Sequence, residues 1–277
     1  MSFLKKTLLS LIFTLLFLAN FSVTYAQESK APDPVVYEKE SLSRDIRQLK
    51  LQYRGELEEY RSLENLYLIA KSQYHKLGTL ASLEDAVQKT QEVMVLRDKV
   101  LRTYLRLMRL KLLSQPGIEL PEKTAAEQSL LSAIKNIEEH QQHFNESLDK
   151  VQINKISEDF EVLIDQVEEA AYQALTIISI GELQTIHDKA IILRDDMEIE
   201  IASAGGALKS TERKRSFDET NRLLESLKPK FDWVEDKYAK PSSSGYKGVH
   251  QAIEKQLNSI HSSLAQALAF LEELLKI

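Results

Sequence analysis

The chain has 277 residues, with 36 basic and 42 acidic side chains and a net charge of −6. This acidic balance argues against nucleic acid as a partner, because polyanion binding depends on clustered positive charge. The chain has no cysteine, which excludes disulfides, thiol catalysis and a lipid-modified N-terminal cysteine. Its stability must therefore come from buried apolar area.

The N-terminus has the three-part order of a secretory signal. Lys5 and Lys6 precede an apolar run over residues 7–21, and small residues stand just before a cut after Ala26. We predict a signal peptide over residues 1–26 and a mature chain that begins at Gln27 in the periplasm or outside the cell. An uncleaved membrane anchor is the alternative, because the apolar segment approaches the roughly 20 residues of a membrane span.

The rest of the chain has the periodicity of helices rather than strands. Only eight glycines and six prolines interrupt it. Residues 27–35, which include two prolines, predict an extended linker. We predict helices over residues 36–77, 81–113, 123–150, 152–179, 181–204, 211–239 and 246–276. The predicted fold class is all-α, an elongated coiled-coil-like helical bundle.

The first predicted helix keeps one heptad frame of apolar residues, which only Glu56 interrupts. A sustained period of 3.5 residues is typical of helices that wind around one another. The second predicted helix has two apolar rows and therefore needs two neighbours, hence a bundle of at least three helices. The residues of the first frame are Leu42, Ile46, Leu49, Tyr53, Tyr60, Leu63, Tyr67, Ala70, Tyr74 and Leu77.

The apolar frame changes phase between residues 123 and 179, where there is no glycine or proline. Either a tight turn near residues 152–155 separates two helices, or one long helix leaves one bundle and enters the next. A faint repeat at an offset of 97 residues, Ser82–Asp98 on Ser179–Asp195, favours two tandem three-helix units with a closing C-terminal helix. We place unit 1 at residues 36–150 and unit 2 at residues 151–277. Chance agreement between amphipathic helices explains the repeat equally well.

Four tyrosines recur every seven residues along the first predicted helix, at Tyr53, Tyr60, Tyr67 and Tyr74. Such a row could stack the sugars of an envelope polymer or grip a partner helix. Aromatic residues at core positions more often fill the space between helices, while their hydroxyl groups reach hydrogen-bond partners at the rim. We therefore favour a core role and keep the four as candidates for a ligand or partner surface.

Lys99, Arg102, Arg106 and Arg109 form a basic stripe along the second predicted helix. The stripe could attract anionic lipid or an acidic envelope polymer. The alternative, which we favour, is that these cations pair within the chain with acidic residues of the first helix.

No pattern of a catalytic or cofactor site appears in the sequence. His140 and His143 share a helical face next to Glu138 and Glu139 in the sequence, but the Glu-x-x-His spacing of bundle metal centres is missing. We predict no catalytic residue, no metal and no cofactor.

We accordingly expect an exported, non-enzymatic helical scaffold, spacer or protein-interaction module of the cell envelope or extracellular space. The partner would be a protein or an envelope polymer, and contact with a membrane would run only through an uncleaved N-terminal segment. Self-association into a homo-oligomer stays open. The alternative function is a ligand-binding or sensory helical bundle outside the cytoplasmic membrane.

Overall fold

The computed structural model describes residues 34–116, 120–144, 148–203, 211–241 and 245–276. The predicted signal peptide, residues 1–26, and most of the predicted linker, residues 27–35, lie outside these ranges. Contacts group Lys39–Ile277 into one compact unit. Within the described ranges, no helix is both long enough and apolar enough to cross a membrane.

The all-α class is confirmed, and the described ranges contain helices without any strand. Each helix begins and ends near a predicted boundary, with three exceptions discussed below. The helices are α1 Pro34–Leu77, α2 Leu80–Leu113, α3 Leu120–Gln142, α4 Lys150–Ser203, α5 Thr211–Glu225, α6 Lys228–Ala239 and α7 Gly245–Lys276.

A tight turn at Gly78 and Thr79 reverses the chain between α1 and α2. Gly78 has a φ of +60°, a conformation that a residue without Cβ adopts at little cost. The Thr79 hydroxyl accepts a hydrogen bond from the Ser82 N–H, and the Ser82 hydroxyl accepts one from the Thr79 N–H. This capping box satisfies backbone donors that have no partner within the helix.

The α2, α3 and α4 helices pack side by side. Arg109 of α2 pairs with Glu127 near the start of α3, whereas Gln91 reaches the carbonyl of Phe144 beyond its end. These contacts make α2 and α3 antiparallel. Both predicted apolar rows of α2 are buried here, apart from the half-buried Leu110.

One prediction that fails is the helix over residues 123–150, because α3 ends at Gln142 and a new helix begins at Lys150. The Asp149 carboxylate accepts a hydrogen bond from the Gln152 N–H, and the Gln152 side chain accepts one from the Asp149 N–H, both at 2.8 Å. This second capping box starts α4 before the turn predicted at residues 152–155. Val151, assigned to the earlier apolar frame, is consequently 76% exposed.

The predicted break between residues 179 and 181 is also wrong, since α4 runs without interruption through Gly181 for 54 residues. Eight consecutive residues of α4, from 171 to 178, are buried. A glycine inside a helix costs only about 1 kcal/mol, which burial on this scale outweighs. The predicted apolar row is buried throughout: Ile153, Ile156, Phe160, Leu163, Val167, Ala170, Ala174 and Ile177.

The helices α5, α6 and α7 pack against α4, with contacts already at Glu169. The predicted helix over residues 211–239 divides into α5 and α6, with Pro229 in the first turn of α6, where its missing N–H is tolerated. Ser216 bonds Glu273 and Lys230 bonds Ser259, so that the α5–α6 segment runs antiparallel to α7.

Helix α1 packs on α2 through large side chains. Hardly any of its Cα atoms comes within 8 Å of another helix, although Tyr53, Leu57 and Tyr60 are buried. Aromatic rings thus fill the wider gap between the two backbones. The predicted frame faces the bundle as far as Tyr74, and Leu77 at its end is 66% exposed.

The tandem organisation stays a prediction. The offset of 97 residues pairs the turn at Gly78 with an uninterrupted stretch of α4, so the two copies differ in secondary structure there. The elongation of the bundle and a boundary between two units at residue 150 also stay predictions.

Glu56 is the one charged residue in the α1 row, and it is 5% exposed. Its Oε1 atom accepts a hydrogen bond from Gln52 and lies 3.6 Å from Nζ of Lys99. Its Oε2 atom is buried without a hydrogen-bond partner in the described part of the chain. A buried acceptor in this state costs about 1–3 kcal/mol.

We therefore predict that Glu56→Leu raises the free energy of unfolding by about 1–3 kcal/mol, because it removes the unsatisfied oxygen and extends the apolar row. Lys99 stays hydrated, since its side chain is 41% exposed. Urea unfolding measures the change. Glu58→Leu at an exposed position of α1 is the control and should change stability by less than about 0.5 kcal/mol. A loss of stability in Glu56→Leu would contradict the prediction.

Candidate functional site

Two tyrosines of the row are buried, and the other two are partly exposed. Tyr53 and Tyr60 are 6% and 7% exposed, and the Tyr53 ring lies 5.6 Å from that of Tyr104 on α2. Burial raises the pKa of the Tyr60 hydroxyl to about 12. Tyr67 and Tyr74 are half-buried, and their hydroxyl groups accept hydrogen bonds from Lys71 and Lys150. Only the second half of the row could touch a partner without rearrangement.

The basic stripe pairs within the chain, but mostly with α3 rather than with α1. Lys99 lies near Glu56 of α1, whereas the other members face α3. Arg106 and Arg109 form ion pairs of 2.8 and 2.6 Å with Glu138 and Glu127. Arg102 bonds the Gln141 side chain and lies 4.0 Å from Glu138. Any role of the stripe toward an external anion stays a prediction.

A buried polar cluster joins α2, α3 and α4. Asp98 of α2 has no exposed surface, and its carboxylate lies 2.5 Å from Nδ1 of His140 on α3. Nε2 of His140 lies 3.1 Å from the carbonyl oxygen of Ile156 on α4. Both ring nitrogens of His140 therefore lie within hydrogen-bond distance of an oxygen atom, one on each neighbouring helix.

Arg97 completes this cluster from the other side of the carboxylate. Its guanidinium donates to Asp98 Oδ1 through Nε and Nη2, at 3.2 and 3.1 Å. Its central carbon lies 3.1 Å from the centre of the Phe160 ring, a cation–π contact. Burial lowers the pKa of Arg97, and the neighbouring Asp98 opposes that shift. The Asp98 carboxylate thus contacts Arg97 through Oδ1 and His140 through Oδ2, and these contacts link three helices.

His140 is therefore engaged in the core rather than available to a metal. His143 is exposed, and its ring lies 6.1 Å from that of His140. Across the described ranges, no group of three or more potential ligands is close enough to hold a metal ion.

A groove of about 510 Å³ lies between α3, α4 and the start of α7. Its floor is formed by Ala133 and Ala170, which are 3% and 5% exposed. These two small side chains let the groove cut into the α3–α4 contact. Its walls carry amide and hydroxyl side chains, together with one carboxylate and one phenol: Gln128, Ser129, Ser132 and Asn136 of α3, Gln166, Glu169 and Gln173 of α4, and Tyr246 of α7.

The two ends of the groove differ. At one end, Asn136 Nδ2 donates a hydrogen bond of 3.0 Å to Gln166 Oε1 and so links α3 to α4. At the other end stands Tyr246, whose ring lies 5.4 Å from that of Tyr238. Gln173 is buried beneath this end and hydrogen-bonds the Tyr238 hydroxyl.

Glu169 ties the groove to the start of α7. Its carboxylate accepts hydrogen bonds from the N–H groups of Tyr246 and Lys247, at 2.6 and 3.5 Å. Carboxylates are favoured at helix N-termini because they satisfy free donors and complement the helix dipole. Gly245 has a φ of +65°, and a Cβ atom there would collide with this carboxylate.

Neither the buried cluster nor the groove was predicted from the sequence. Asp98 stands between apolar rows and should have indicated a buried partner, but the partner, His140, is 42 positions away in the chain. The groove depends on residues from three helices, whose register no local pattern reports. Trp233 is 41% exposed and lies beneath Lys237.

Comparison of the chain with protein-family models, with curated proteins and with solved structures finds no match.

We predict that Asp98→Ala lowers the free energy of unfolding by about 3–5 kcal/mol, because it leaves Arg97 and His140 in the core without their carboxylate. The matched control is Asp195→Ala, which removes the same kind of neighbouring partner from Arg194 at a position where the Asp195 side chain is 50% exposed. That variant should lose less than about 1 kcal/mol. Urea unfolding compares the two, and equal losses would contradict a core role for the cluster.

We also predict that stability falls between pH 10 and pH 12. The Tyr60 pKa is about 12 in the folded chain, against about 10 in an unfolded one. Because the Tyr60 pKa is higher in the folded chain, the neutral hydroxyl group contributes fully to the free energy of unfolding below pH 10. This contribution is lost as the pH rises through 12, at up to about 1.4 kcal/mol per pH unit.

Urea unfolding at a series of alkaline pH values measures the slope, and phenolate absorbance follows ionisation. Tyr60→Phe should reduce the slope, because it removes the buried hydroxyl group. An equal slope in the parent chain and in Tyr60→Phe would contradict the prediction.

Proposed function

We propose that the protein is an exported, non-enzymatic helical scaffold or spacer, or a protein-interaction module, of the cell envelope or extracellular space. The observation that carries this proposal is the length and continuity of α4. At 1.5 Å per residue, its 54 residues extend about 80 Å.

Support along the whole of α4 makes it suitable as a rigid spine. Contacts with α2 and α3 reach as far as Glu182, and contacts with α5, α6 and α7 already occur at Glu169. Buried side chains spaced along α4, such as Phe160, Ile177 and Ala190, keep it attached to its neighbours over this length. A helix held in this way resists bending, which is the mechanical requirement of a spacer.

The non-enzymatic part of the proposal rests on the sequence, which carries no catalytic motif. Export rests on the signal pattern of residues 1–26. A protein partner or an envelope polymer would use the outer surfaces of the helices. Membrane contact in this proposal is confined to an N-terminal segment that escapes cleavage.

The absence of native cysteine allows a direct test of the spine by spin labelling. Lys155 and Glu198 are exposed residues of α4, and a straight helix separates them by about 65 Å. Pulsed electron paramagnetic resonance on Lys155→Cys/Glu198→Cys should give a narrow distribution at that distance. The control pair, Lys155→Cys/Asp188→Cys, should give about 50 Å. A short or broad distribution for either pair would mean that α4 bends, and would contradict a spacer.

Export is tested by the N-terminus of the protein recovered from cells. We expect mass spectrometry of the extracytoplasmic fraction to find a chain that begins at Gln27. An intact chain in the membrane fraction would identify an uncleaved anchor, and an intact chain in the cytoplasm would contradict export.

A further inference from the structure

We propose that the groove between α3, α4 and the start of α7 is a binding site for a neutral oligosaccharide. It gathers polar side chains from three helices on one surface. The proposal goes beyond the scaffold role and does not depend on it, because the groove involves no residue of α4 beyond Gln173.

The hydrogen-bonding groups of the groove match those of a sugar. Amide and hydroxyl side chains each offer donors and acceptors, and so does every sugar hydroxyl. Gln128 and Ser132 have no hydrogen-bond partner within the described residues, and they stand on consecutive turns of α3. Both side chains are exposed, so a ligand that binds them replaces water and breaks no bond within the protein.

The charge of the groove favours a neutral ligand. None of its lining residues is basic, so an anion would find no counter-charge. The one carboxylate, Glu169, is already occupied by the N–H groups of Tyr246 and Lys247. A cationic ligand would have to compete with the first turn of α7 for that carboxylate. A neutral polyhydroxylated molecule meets neither obstacle.

The shape of the groove suits a short chain of sugar rings. Along α3, the distance from Gln128 to Asn136 is about 12 Å. The half-buried Tyr246 at one end offers an aromatic ring to the apolar face of a sugar. The alanine floor leaves room for a ring between the amide walls, and the Asn136–Gln166 hydrogen bond closes the far end.

Isothermal titration calorimetry on the purified full chain tests the proposal with four probes. Two are neutral tetrasaccharides, maltotetraose and chitotetraose. The third is a neutral glycine-serine peptide of similar length, and the fourth is inorganic phosphate. We expect saturable binding of at least one tetrasaccharide, with no binding of the peptide or of phosphate.

Two variants locate the site. Gln128→Ala should weaken tetrasaccharide binding about three- to tenfold, the effect of losing one hydrogen bond. Tyr246→Ala should weaken it by at least as much, through loss of the ring. Gln251→Ala, at an exposed position of α7 outside the groove, is the matched control and should bind like the parent chain. Circular dichroism checks that each variant is folded. Because Gln128 is exposed, we expect Gln128→Ala to fold, and it still tests the site if Tyr246→Ala misfolds.

Several outcomes would overturn the proposal: no binding of either tetrasaccharide, binding of the peptide or of phosphate in its place, or unchanged tetrasaccharide affinity in Gln128→Ala. None of them bears on the α4 distances measured by spin labels. The spacer can therefore fail while the groove stands, and the reverse also holds.

Discussion

The continuity of α4 is the constraint on which the other helices depend. Because the helix runs unbroken from Lys150 to Ser203, the other helices pack along it in two overlapping groups. The contacts of α2 and α3 reach as far as Glu182, and those of α5, α6 and α7 already occur at Glu169. The eight consecutive buried residues from 171 to 178 lie where both sets of neighbours converge. A helix buried on every side at this point cannot hinge there without exposing apolar surface, so the two sets of neighbours share one rigid support.

Polar contacts then determine how the neighbours are aligned on this support. Asp98 contacts His140, and His140 contacts the carbonyl oxygen of Ile156, so these contacts set the register of α2 and α3 along α4. A shift by one helical turn would leave the buried Asp98 carboxylate without its partners. Glu169 does the same for α7 by capping its first turn. The groove is a by-product of this second alignment. It opens where the capped end of α7 meets two helices whose facing residues, Ala133 and Ala170, are small.

The sequence predicted what local periodicity encodes, and it missed what depends on register between helices. The row from Ile153 to Ile177 was predicted correctly, since each residue lies on one face of one helix. The break at Gly181 was wrong because tertiary burial outweighs the low helix propensity of a single glycine. The start of α4 was predictable in principle: Asp149 and Gln152 have the spacing of a capping box. The pairing of Asp98 with His140 and the assembly of the groove depend on residues far apart in the chain, which no single stretch of sequence relates.

The wide spacing between α1 and α2 affects how the molecule would bear a load. Few Cα atoms of α1 lie within 8 Å of a Cα atom of α2, and rings such as those of Tyr53 and Tyr60 fill the space between the two helices. Segments with sparse backbone contact open at lower free energy than the core to which they attach. Tension applied at Pro34 reaches α1 before any other helix of the described ranges. We expect α1 to detach from α2 first, while α2 to α7 keep their packing around α4.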